Sequence, residues 1–437
     1  MIVVKLVLVS CFLTMGLIVN AQKPLQNDND GEIMLRDTGS CNIKWIFNTK
    51  ETNSRSLRWT LFPAYNDNDG FMCGFLITNG ITKVHPKFSF SFSPSYTFTN
   101  SKLLGQSWLN FDHVTKQDNI AMISYRVGIK SFDFNINKKF NYSQRYLRFD
   151  PSVTFHFRHL SPDVKQSQLA LKSFFINEEE AVFVNGDFDK LSNKSTLIHR
   201  IVYQRLFEDD IQRSDIDLSL EYQAYNSDHY LKVMAISDQR YLYSSKKNLY
   251  FRFFATGFIV NTQRMSGSFQ NIFTRGSIAL IQQGFNDYSY DEYFFSRQNQ
   301  NGFQDDQVSL TSGGGFKTPV GSAYSIGMSN NFAAAVNFSA DIPFRIPTWL
   351  PLRIYFDAGT YSTYSGTKFI SNMIYNGGFS FNFNDVAALH IPLFYSNDLG
   401  NIYKETHNDF FSRMSFTLNL HRLKFKNLKP PFKNLFI

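Results

Sequence analysis

Residues 88–99 read Phe88-Ser89-Phe90-Ser91-Phe92-Ser93-Pro94-Ser95-Tyr96-Thr97-Phe98-Thr99, with an aromatic residue or proline at every even position and a small hydroxyl residue at every odd one. Side chains on a strand point alternately to opposite faces, so one face of this stretch is apolar and the other uniformly polar. Helical spacing would scatter the phenylalanines around a cylinder, which excludes a helix. About ten residues is also the length with which a tilted strand crosses a bilayer. A soluble sheet would bury the apolar face, whereas a membrane barrel would turn it to lipid and line its interior with the hydroxyls.

Composition favours the barrel. The chain of 437 residues carries 47 Phe and 22 Tyr, yet its mean hydropathy is −0.25. Abundant aromatics with low mean hydropathy suit strands of which half the residues are polar. Beyond the N-terminus there is no apolar run long enough to span a membrane as a helix. Met1 to Ala21 reads as a secretory signal, with Lys5, an apolar stretch from Leu6 to Val19, and a small-residue cleavage site at Val19-Asn20-Ala21. Leu8-Val9-Ser10-Cys11 also resembles a lipobox, but the apolar stretch before Cys11 is short and the chain stays apolar after it.

The formal charge of +8 is spread along the chain, with its one dense cluster in the tail, so nucleic acid is not an expected partner. Cys41 and Cys73 remain after signal cleavage; they could form a single disulfide in an oxidising compartment, but read better as two unpaired small side chains. Residues 22–40 form a polar lead-in, residues 41–421 the barrel, and residues 422–437 a basic tail in which Phe425-Lys426-Asn427-Leu428 recurs as Phe432-Lys433-Asn434-Leu435. That tail suits either an anionic membrane surface or solvent.

Alternation recurs through the barrel region. Leu147, Phe149, Val153, Phe155 and Phe157 oppose Arg148, Asp150, Ser152, Thr154, His156 and Arg158, a face so ionic that it belongs in a water-filled or salt-bridged lumen. Arg148, Asp150, His156 and Arg158 are therefore the lumen-facing candidates. Ile216 to Ala224 alternates in the same way. Asn66-Asp67-Asn68-Asp69-Gly70 is a hairpin turn, and residues 177–193 read as an acidic loop. Between Ser131 and Phe132 the apolar phase flips without turn residues, which suggests a bulge in one long strand. The segments amount to roughly 16 antiparallel strands, with about 14 to 18 admissible at membrane-barrel length.

No His-Glu-x-x-His, Gly-x-Ser-x-Gly, Walker loop or Cys-x-x-Cys is present. Gly313-Gly314-Gly315 reads as a bulge or turn. Asp287-Tyr288-Ser289-Tyr290-Asp291-Glu292-Tyr293-Phe294-Phe295 is the most unusual segment. Asp287, Asp291 and Glu292 could hold a divalent cation through oxygen ligands, but their spacing fits no calcium loop. An aromatic girdle running into an acidic loop at the membrane surface explains the segment better.

Several phrases resemble the C-terminal, membrane-embedded region attached to some gluzincin metallopeptidases of the aminopeptidase N family in Gram-negative bacteria. They are Leu57-Arg58-Trp59 through Gly74, Pro151 through Arg158, Asn286 through Arg297, and Asn301 through Pro343. The resemblance implies an outer-membrane barrel associated with a peptidase, but the zinc ligands are missing and no catalytic residue carries over. The expectation is a non-enzymatic outer-membrane barrel without a cofactor, in contact with lipid, serving as an anchor or narrow pore for a separately encoded peptidase or other partner. The alternative is a secreted soluble β-sandwich or solenoid that binds carbohydrate or peptide. Strand length argues against it, because soluble strands run to about five or six residues.

Overall fold

The computed structural model describes residues 42–46, 56–79, 87–159, 161–225, 228–244, 247–262, 278–298, 302–321, 326–343, 351–364, 368–383, 385–406 and 409–419. The signal, the lead-in, Cys41 and the basic tail lie outside these residues.

Alternating sequence becomes strand almost throughout. In chain order the strands are β1 (Asn42–Trp45), β2 (Ser56–Asn66), β3 (Gly70–Thr78), β4 (Phe88–Thr97), β5 (Lys102–Val114), β6 (Ile120–Asn137), β7 (Tyr142–Phe157) and β8 (Val164–Val184). There follow β9 (Asp187–Glu208), β10 (Gln212–Tyr225), β11 (Asp228–Ser244), β12 (Lys247–Asn261), and the short β13 (Ile278–Ala279) and β14 (Met328–Ser329). The last are β15 (Phe332–Asp341), β16 (Leu352–Tyr364), β17 (Phe369–Phe383), β18 (Ala387–Tyr395) and β19 (Ser415–Leu418), with helix α1 (Asn397–Thr406) between the final two.

From β2 to β12 each strand pairs antiparallel with the next, β12 then pairs with β15, and the run continues to β19. These sixteen strands, with β1 added in parallel on β2, make one seventeen-stranded sheet. The sequence estimate of strand number therefore holds. β13 and β14 pair only with each other, inside the segment that joins β12 to β15.

That joining segment, residues 278–331, rolls the sheet up. The N–H of Asp67, in the turn after β2, donates to Phe295 O at 2.8 Å, while the N–H of Val308 donates to Phe416 O of β19 at 2.8 Å. In between, Lys130 of β6 donates to Tyr290 O at 3.1 Å, and Lys317 pairs with Asp357 of β16 at 2.7 Å. Sixteen flat strands at about 4.8 Å spacing would measure roughly 75 Å across. One short segment can touch both ends and the middle of such a sheet on one face only if the sheet curls around it. The molecule is a barrel with an internal plug.

The alternation read in the sequence decides which residues look inward. Ser89, Ser91, Ser93, Ser95 and Thr97 are buried, whereas Phe88, Tyr96 and Phe98 are exposed on the outside. Leu218, Leu220 and Tyr222 face out and Glu221 and Gln223 face in. Pro94 interrupts β4 opposite Gly105, whose φ of 132° and lack of a side chain let the Ser93 carbonyl approach. The apolar core lies between plug and wall: Leu280, Ile281 and Phe316 pack with Ile236, Phe254, Ala333 and Ile374 of the strands and with Leu399 and Tyr403 of α1.

One sequence expectation is corrected and another, the bulge inside one long strand, is met with a second cause beside it. Residues 177–193 are not a loop: β8 and β9 pair through Glu178↔Lys194, Glu179↔Asn193 and Glu180↔Ser192 to a two-residue turn. A strand of 21 residues measures about 70 Å, so this hairpin projects far beyond a bilayer, and its acidic stretch at 178–180 leads to a tip where Phe183 and Phe188 pack with Tyr142. The phase flip at Phe132 has another origin as well. A bulge does lie between Asp133 and Asn135, but even-numbered residues already face inward before it, and Phe132 and Phe134 turn apolar because they pack against Tyr290 of the plug.

Candidate functional site

The plug meets the wall in one ionic cluster. Asp291 bridges two strands: its Oδ1 accepts from Arg148 Nη1 of β7 at 2.7 Å, and its Oδ2 from Arg200 Nη1 of β9 at 2.8 Å. Both guanidinium groups lie over the Phe174 ring of β8, at 4.6 and 4.9 Å from its centroid, which fixes them as a pair. Burial would raise the Asp291 carboxyl, but Arg148 and Arg200 outweigh it and hold the group well below its ordinary value.

Neighbouring residues complete the clasp. Arg148 also donates to Ser289 O at 2.6 Å and to Asp150 Oδ2 at 3.0 Å. Gly128 lies opposite Asp150 on β6, where a Cβ would come within 2.3 Å of that carboxylate, so the glycine makes room for it. Arg200 pairs with Glu221 at 2.6 Å, and Glu221 in turn pairs with Lys232 at 2.9 Å and accepts from Tyr230 and Tyr288. Tyr290 stacks on Tyr146 at 3.8 Å between centroids and donates to Glu178 Oε1 at 2.7 Å. It does so at φ 53°, a left-handed conformation that a bulky side chain adopts only when its surroundings hold it there.

Inside the plug, Asp287 accepts from the backbone N–H groups of Asp291 and Glu292 and from Arg297 Nη2 at 3.0 Å. Glu292 accepts from the Thr311 hydroxyl at 2.7 Å, and burial pushes its carboxyl up. Asp287, Asp291 and Glu292 are thus not on a loop at the membrane surface, as their composition suggested, but inside the barrel. Their oxygens are taken by guanidinium, amide and hydroxyl groups. Among the described residues there is no group of three or more His, Cys, Asp or Glu arranged to hold a metal.

Of the lumen-facing candidates, Arg148 and Asp150 belong to this cluster. His156 lies nearer the end of β7, its Nε2 3.0 Å from Ser124 Oγ. Arg158 falls just beyond β7, where it donates to Gln117 O and Thr115 O and ties down the turn between β5 and β6; it is not a lumen residue. Arg200, Lys232 and Arg297 escaped the sequence reading. The inward phase of β10, with Glu221 among its polar residues, was the available signal that a cation stood opposite.

The plug covers the lumen unevenly. Gln144, Tyr146 and Arg148 on β7 are buried beneath it, but from Asp150 to Phe157 every residue is half-buried. The end of the barrel below Asp291 is therefore an open vestibule.

The sequence matches no family model and no curated protein. Among solved structures it is similar to BamA from Haemophilus ducreyi lacking POTRA domains 1-3, at 9% identity and a TM-score of 0.41, over 77% of this chain and 66% of that one. It is also similar to CdiB from Acinetobacter baumannii, at 12% identity and a TM-score of 0.34, over 77% of this chain and 56% of that one. At those scores the barrel stands on its own ladders and plug contacts.

Proposed function

We propose that the protein is an outer-membrane β-barrel held shut by its own internal segment, and that it anchors a separately encoded partner instead of serving as an open diffusion pore. The barrel sits in the outer membrane with its outer face in lipid. That face presents Leu61, Phe75, Phe111, Tyr125, Phe149 and Leu171, all exposed, among a belt far larger than the apolar patch a soluble monomer leaves to water. The plug, α1 and the β8–β9 hairpin share one end of the barrel, and long connections mark the extracellular end of such barrels. The vestibule then opens to the periplasm. The role is non-enzymatic, and a peptidase is the partner that the sequence resemblance suggests.

The observation that carries the closed state is Asp291, fixed between Arg148 and Arg200. Purified protein in planar bilayers is expected to show no sustained conductance, and Asp291→Arg to show frequent openings. A large, steady, ohmic conductance from the unmodified protein would overturn the closed-barrel reading.

A further inference from the structure

The charge on the vestibule wall does not balance. Around the clasp stand six basic side chains, Arg126, Lys130, Arg148, Lys172, Arg200 and Arg297, against four carboxylates, Asp150, Asp287, Asp291 and Glu292. Glu221 is shared by Arg200 and Lys232 and leaves the difference unchanged. Arg148, Arg200 and Arg297 are satisfied by these carboxylates. Lys172 makes no hydrogen bond or ion pair among the described residues; its charged neighbours are Asp291, already held by two arginines, and the cations Arg200, Arg148 and Arg126.

Two of the basic side chains stand in a row across β6 to β8. Arg126 of β6 pairs in register with Ser152 of β7, and Ser152 with Lys172 of β8. One strand spacing on either side of the Ser152 hydroxyl, two cations therefore face the lumen about 10 Å apart at their bases. All three residues are half-buried, on the open side of the Asp291 clasp. Arg126 is steadied by the Trp108 ring, 5.0 Å away. Cations gathered in a partly desolvated cleft repel one another and draw in an anion.

We propose that Arg126, Ser152 and Lys172 form a binding site for a small phosphate-bearing solute entering from the vestibule. A guanidinium presents paired donors that match phosphate oxygens, the lysine supplies a point charge from the other side, and the serine hydroxyl donates between them. The excess of positive charge favours a multivalent anion over a carboxylate.

The site rests on the plugged-barrel reading, but its test does not require a membrane. Inorganic pyrophosphate is titrated into the full chain in detergent by calorimetry, with heat-modifiable gel migration as the check on folding. Saturable binding to one site is expected. Lys172→Gln and Arg126→Gln should each weaken it by about tenfold or more, in keeping with the loss of one charge-assisted hydrogen bond. Lys172→Arg should retain it, and Lys194→Gln, on the projecting hairpin, should leave it unchanged. No saturable binding by the folded protein, or an equal loss in Lys194→Gln and Lys172→Gln, would overturn the proposal. Binding without a closed conductance state would remove the closed-barrel reading and leave this site standing.

Discussion

The two walls of the barrel are built differently. β2 to β5 run for 9 to 13 residues and turn a close-packed face inward, with Met72 and Leu76 of β3, Ser89, Ser91, Ser93 and Ser95 of β4, and Leu104 and Trp108 of β5 all buried. β6 to β9 run for 16 to 22 residues and turn arginines and lysines inward. The first wall is about as long as a bilayer requires. The second exceeds it and carries the cations that hold Asp291. Membrane crossing and plug retention are thus separate tasks of separate strands, and alternation alone serves the first without the second.

The largest expected effect tests the ionic wall. Asp291→Ala leaves Arg148 and Arg200 side by side over Phe174 with no shared carboxylate. Removing one partner of a buried ion pair costs about 3–5 kcal/mol; Asp291 keeps some exposure, so the lower end applies. Hydrogen exchange across residues 284–298 should rise sharply while the strands stay protected. Unchanged protection of that segment would show that the plug is held by packing alone.

Arginine scanning sharpens the contrast. On the lipid face, Phe75→Arg and Phe149→Arg should each cost about 2–4 kcal/mol if they lie near the midplane. On the lumen face the two walls should part. Thr154→Arg enters the half-buried vestibule, where there is room for the side chain but the neighbouring cations oppose it, and should cost less than about 1 kcal/mol. Ser91→Arg has no such space, because Ser91 is 3% exposed, and overpacking there should cost about 1–3 kcal/mol. Urea unfolding in a fixed detergent measures all four. Equal costs at Thr154 and Ser91 would mean that the short wall has room inside as well.

The strands were legible because alternation is a local signal. Phe88–Thr99, Leu147–Arg158 and Ile216–Ala224 each display a lipid face and a lumen face within a dozen residues. The plug was not. Asp287 to Phe295 has the composition of a girdle with an acidic loop, and nothing within the segment distinguishes that from a buried clasp. Its partners come from far along the chain: Arg148 lies 143 residues from Asp291, and Arg200 lies 91. The acidic run at 178–180 misled for a related reason. Outside the bilayer a hairpin has no lipid face, so alternation vanishes while pairing continues through Glu178↔Lys194.

The last effect is a pH dependence and concerns the joint between the walls. Asp69, in the turn between β2 and β3, is fully buried; it accepts from Asn66 Nδ2 at 2.8 Å and from the backbone N–H of Asp133 on β6 at 3.4 Å. Burial is the main cause that pushes its carboxyl up to about 7, the Asp133 charge adds to the rise, and the hydrogen bonds and Lys102 only partly oppose it. An unfolded aspartate titrates near 4. Between about pH 4 and 7 the folded chain therefore holds a proton that the unfolded chain has released, and stability falls as pH rises through that window. Below pH 4 both states are protonated and the contribution is complete; above 7 it is lost. Asp69→Asn should flatten this part of the profile and should stabilise the protein most at alkaline pH, because the amide stays neutral. Urea midpoints at pH 5, 6, 7 and 8 for both proteins decide it. A wild-type midpoint that rises with pH, or a variant that keeps the same slope, would place the titrating group elsewhere than at the joint.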